Sequence, residues 1–158
     1  IRLQSVHLDS DESARLGQVI IAIRSAVHAA KSIKDTHHDL DAFRQAVDDH
    51  FNAWFGRFRD AAGRFYRQLS GLSITESESH LFETLVELKN LNEQAHRELH
   101  AAIHDEVRSG ALSKVQVSTL LNVNREFFSS NQSLLSALAD ALLDPQRAED
   151  YDSLPISA

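Results

Sequence analysis

At 158 residues the chain fits one domain able to bury a core, and 42% hydrophobic with 25% charged residues is a globular balance, not a disordered one. A net charge of −7 argues against nucleic acid as a partner, and the absence of cysteine excludes disulfides, thiolate metal sites and cysteine nucleophiles. No apolar run approaches the roughly 20 residues that cross a bilayer, so neither direct membrane insertion nor a signal peptide is expected. The chain starts at Ile1 and has no methionine, where roughly three or four would be usual, so it reads as an excised piece.

Residues 1–9 read as a lead-in, and Asp9 and Ser10 precede Asp11 and Glu12, acids suited to a helix start. From there Leu16, Val19, Ile23, Ala26, Ala30, Ile33, His37 and Leu40 recur at helical spacing, predicting one stripe on a helix of about 30 residues. The next break, near Asp39 to Asp41, is poorly marked. A second stripe runs through Phe43, Val47, Phe51, Trp54, Phe58, Ala61, Phe65 and Leu69 to Gly71. Its spacing is that of core packing.

Thr75 and Glu78 have the spacing of a capping box opening a third helix, striped by Leu81, Leu85, Leu88, Asn92, Ala95, Leu99 and Ala102 and ended by Gly110. Ser113 and Gln116 repeat that box for a fourth helix, which Pro145 ends. That helix has a broad apolar face, Leu120, Phe127, Leu134 and Ala141 beside Leu121, Phe128, Leu135 and Leu142. Residues 145–158 show no periodicity and read as a mobile tail. Short links between long helices predict an all-α antiparallel bundle of about four helices over residues 10–144.

No phosphate loop or nucleophile elbow is present, so no catalytic residue is expected and the chain does not read as an enzyme. Three groups of polar residues stand out. Glu93 with His96 and His100 forms a Glu-x-x-His run on the third helix, half of what a di-iron bundle needs, and Asp35 with His38 offers an acid and an imidazole on the first. Such residues suit a divalent ion, iron, zinc or manganese. Arg24, His28, Lys31, Asp35 and His38 also share the outer face of the first helix, a mixed-charge surface suited to an anion or a partner. Asn124 and Asn131 fall within the fourth helix's apolar face, where buried amides must be hydrogen-bonded and fix register. The same face offers a plainer alternative, a homodimer surface.

The stretch A-V-H-A-A-K-S-I-K-D-T-H-H-D-L (Ala26–Leu40) resembles the first metal-motif helix of PhoU-like domains, in the version found at the cytoplasmic C-terminus of bacterial sodium/phosphate cotransporters. Val117 to Leu138, containing L-L-N-V-N-R-E-F-F-S-S-N-Q-S-L-L, is similar to the late helix of that domain. The resemblance implies a PhoU-like bundle with a regulatory role in phosphate transport. It would sit on the cytoplasmic face of the inner membrane, as the soluble part of a membrane protein, with the transporter's membrane domain or another subunit as partner. Family members hold metal clusters at E/D-x-x-x-D motifs. Here that frame reads Lys31-x-x-x-Asp35, a cation in place of the first acid, while Asp35-x-x-x-Asp39 keeps both acids. The late helix has Asn122, Asn124 and Arg125 in the corresponding region and no acid pair. The surface implied for metal or partner is therefore Lys31, Asp35, His38 and Asp39.

Overall fold

In the computed structural model, which describes residues 9–155, Asp9 starts the first helix with a reciprocal cap. Its carboxylate accepts from the Glu12 N–H at 2.8 Å, and the Glu12 carboxylate accepts from the Asp9 N–H at 3.0 Å. Two donors that a helix start leaves without partners are thereby satisfied. Of the expected lead-in, only Asp9 lies within the described residues. Helix α1 (Ser10–Asp35) ends at Thr36, a buried residue whose hydroxyl donates back to Ile33 O at 2.8 Å. A short α2 (His37–Gln45) follows, and Asp48 caps α3 (Asp49–Leu69) by accepting from His50 N at 2.9 Å. The breaks therefore fall at Thr36 and at 46–48, not at Asp39 to Asp41, and Val47 leaves the expected stripe for an exposed link.

Helix α4 (Glu78–Ser109) is capped by Ser77, not Thr75. Glu78 instead reaches across to accept from Asp144 N at 2.6 Å. Gly110 ends α4 at φ 70°, a left-handed conformation that glycine adopts without strain. The Ser113–Gln116 box opens α5 (Lys114–Leu142) with both of its bonds made, at 2.8 and 3.3 Å. All the regular structure among the described residues is helical.

Pairings across the helices run in opposite senses, which fixes an antiparallel bundle. His50 meets Glu106 and Arg64 meets Glu98, so α3 opposes α4. Asn124 bonds His96 O while Asn131 bonds Asn92, so α4 opposes α5. Arg15 bonds Leu143 O and Ser130 bonds Ala29 O, so α5 opposes α1. Helix α5 is the shared neighbour, packed on α1, α2, α4 and α6. Of its expected apolar face, Leu120, Phe127 and Leu135 are buried, Leu121, Phe128, Leu134 and Leu142 are half-buried, and Ala141 is exposed. One apolar cluster gathers Trp54, Phe58, Leu99 and Leu120, and a second gathers Phe65, Leu85, Leu135 and Tyr151.

Helix α1 turns the other way from its expected stripe. It buries Gln18, Ala22, Ala29 and Ser32 against α5, while Leu16, Val19, Ile23 and Val27 are exposed, Ile23 by 58% and Val27 by 64%. The reason is distance. Ala and Ser let two backbones approach closely enough for Ser130 Oγ to reach Ala29 O at 2.8 Å, and larger aliphatic side chains would hold the helices apart.

The expected tail is also corrected. Residues 145–153 form α6 (Pro145–Ser153), started by Asp144, which accepts from Arg147 N at 2.8 Å, and by proline in the first turn. Its apolar positions are few but well placed: Ala148 and Tyr151 are buried, and Lys89 Nζ donates to Leu154 O at 2.8 Å. Tyr151 lies edge-on to Phe82, with ring centroids 6.4 Å apart, and Lys89 Nζ lies 5.5 Å from the Tyr151 centroid. Removing a buried aromatic of this kind costs about 3 kcal/mol or more. Tyr151→Ala is accordingly expected to lower the urea midpoint by that equivalent, and an unchanged midpoint would show that α6 is not part of the packed core.

Candidate functional site

The three helices that meet near the middle of the bundle enclose an open polar cleft of about 680 Å³. Asp39 of α2, His96 and His100 of α4, and Asn122 and Arg125 of α5 line it, with Ser118, Thr119 and Leu121. Two sets of residues that belong to different expectations thus share one place: Asp39 from the first-helix surface, and His96 with His100 from the Glu-x-x-His run.

Each side chain is held by a local cause. His96 stacks on Phe128 at 4.5 Å between centroids, and its backbone carbonyl accepts from Asn124 Nδ2 at 3.1 Å. Burial pushes the imidazole below its ordinary pKa of 6.5, aided by His100 and Arg97 and opposed by Asn124. It is therefore neutral at neutral pH. His100 stands 6.1 Å from His96 and 4.6 Å from His104, centroid to centroid. Arg125 is held by its guanidinium, whose Nη2 donates to Asn122 Oδ1 at 2.6 Å and to Glu126 Oε1 at 3.1 Å. The cleft thus presents a guanidinium, a carboxylate, neutral amide and hydroxyl groups, and two imidazoles, a set able to orient a polar ligand or a partner's side chains.

The remaining expected residues go elsewhere. Lys31 and Asp35 are exposed on α1, and His38 lines a shallow apolar depression with Ile33, Lys34, His37 and Leu40. The break at Thr36 puts Asp35 at the end of α1 and His38 in the first turn of α2. Glu93 is buried beneath α6, 3.9 Å from Arg97, and it lies near enough to Tyr151 to help burial and Asp152 push that phenol's pKa up. Glu93 is not among the residues that line the cleft. Among the described residues, no three His, Asp or Glu side chains are placed to hold one metal ion.

Asn124 and Asn131 belong to a buried amide ladder between α4 and α5. Asn131 Nδ2 donates to Asn92 Oδ1 at 2.9 Å, and Asn92 Nδ2 donates to Phe128 O at 3.2 Å. The ladder lies between the two apolar clusters and holds the pair in register, so His96 is fixed on one side of it. Arg125 and Asn122 were visible in the sequence only as the absence of an acid pair. Their convergence with Asp39 needs the tertiary fold.

No protein-family model, curated protein or solved structure matches the chain. Among the described residues no helix is long and apolar enough to cross a membrane.

The depressed His96 pKa has a consequence for stability. The unfolded chain takes up a proton near pH 6.5, while the folded chain takes it up only at lower pH. The stabilising difference is fully present above pH 6.5 and is lost as pH falls from there through the folded pKa. Urea midpoints at pH 7.5 and pH 5.5 are expected to differ less in His96→Gln than in the parent chain. An unchanged pH dependence would remove His96 from this role.

Proposed function

We propose that the chain is a non-catalytic, PhoU-like regulatory domain of a sodium-dependent phosphate cotransporter. In this reading it works by contact, from the cytoplasmic face of the inner membrane, with the transporter's membrane domain or another subunit. One observation carries the proposal. The two stretches that resemble that family, Ala26–Leu40 and Val117–Leu138, are far apart in sequence yet pack against each other as the α1–α5 pair. The contact is specific: Ser130 Oγ donates to Ala29 O at 2.8 Å, and His28 Nδ1 lies 3.1 Å from Ser133 Oγ.

The contact surface in this proposal runs from Lys31, Asp35 and His38 to Asp39 at the mouth of the polar cleft. Three of these four are exposed and Asp39 is half-buried, so replacing them leaves the core intact. In cells that depend on the complete cotransporter, the quadruple alanine variant is expected to take up labelled phosphate at the same rate in phosphate-replete and phosphate-starved cultures. Uptake that still responds to phosphate supply as in the parent would defeat the proposal.

A further inference from the structure

Helices α1 and α3 both rest on the inner helices but scarcely touch each other. The seam between them is open. Two hollows of about 280 and 210 Å³ lie along it and share Ile33 and Tyr66. Phe55 and Tyr66 form one wall, Ala26 and Ile33 the other, and Phe127 and Leu134 the floor. Beside the groove, the exposed side of α1 continues it as a ridge of Leu16, Val19, Ile20, Ile23 and Val27, each at least 39% exposed. From Leu16 to Ile33 this surface is about 25 Å long at ~1.5 Å per residue. Single exposed aliphatics are ordinary, but a continuous strip joined to an apolar groove marks an interaction site. The shape matches the apolar stripe of one helix of about four to five turns laid lengthwise.

Charge restricts the occupant. Among the described residues, Arg59 is the one charged side chain lining either hollow, and no Asp or Glu does so. Helices α1 and α3 together hold eight Lys and Arg against five Asp and Glu, in a chain whose net charge is −7. A second copy docking through the same ridge would bring these cationic helices together. We infer that the α1–α3 groove and its ridge receive an amphipathic helix of a partner protein, aliphatic along one stripe and acidic along its flanks. The inference does not depend on the transporter reading and survives its failure.

The test uses two labelled peptides of about 18 residues, each with leucine at helical spacing, one flanked by glutamate and the other by lysine. Fluorescence anisotropy against the full chain is expected to show the glutamate peptide binding at least tenfold more tightly, with affinity falling as salt rises. Ile23→Glu and Arg59→Glu, both at exposed positions, should each weaken that binding about tenfold or more while circular dichroism is unchanged. Equal binding of the two peptides, or no binding of either, overturns the inference. So does a dimer, seen by sedimentation at the working concentration, that Ile23→Glu dissociates, since a second copy would then occupy the ridge.

Discussion

The close approach of α1 to α5 sets the rest of this molecule. Small side chains, Ala22, Ala29 and Ser32 on α1 with Ser130 and Ala137 buried on α5, let the backbones come near enough for side-chain-to-carbonyl bonds. The far end of the seam is closed by Arg15, which donates to Ala141 O at 2.8 Å and Leu143 O at 3.1 Å, and by Gln18, which donates to Leu143 O at 3.4 Å. Carbonyls at the end of α5 that have no partner within the helix are thus satisfied by α1. Once α1 is fixed in this rotation its aliphatic side must face outward. The open groove beside α3 is a consequence of the same choice.

A second constraint acts across α4 and α5. The Asn92–Asn131 bond and the Asn124 bond to His96 O are made only in one register, because a shift along either helix would bury these amides without partners. That register carries His96 and Arg125 to the same cleft. Helix α6 then covers the other end of the α4 flank, burying Lys89 and Glu93, and its Asp152 joins burial in holding the Asp140 carboxyl above the usual carboxylate range. The polar strip of α4 is thereby divided: the part under α6 is structural, and the part beyond it, His96 and His100, remains at the cleft.

The sequence displayed much of this. The stripes of α3 and α4, the stop at Gly110 and the Ser113–Gln116 box are local signals, and local geometry obeys them. What misled was size taken for burial on α1. Leu16, Val19 and Ile23 form a proper helical stripe, but so do Ala22, Ala29 and Ser32, and only the partner helix decides between them. Helix α6 escaped because nine residues with two buried apolar positions give no measurable period. The cleft was partly legible. Its histidines and Asp39 drew attention by type and spacing, while Arg125 and Asn122 acquire meaning only when three helices converge.

Because the chain has no cysteine, the rotation of α1 can be read residue by residue with single-cysteine variants. Ala22→Cys, Ile23→Cys, Val27→Cys and Ala29→Cys would be labelled with a maleimide under native conditions, and each rate compared with that in denaturant. The account predicts near-denatured rates at positions 23 and 27 and rates at least about 100-fold slower at 22 and 29, where reaction must await opening of the fold. Protection at 23 and 27 with free reaction at 22 and 29 would contradict it, and would place the aliphatic stripe in the core.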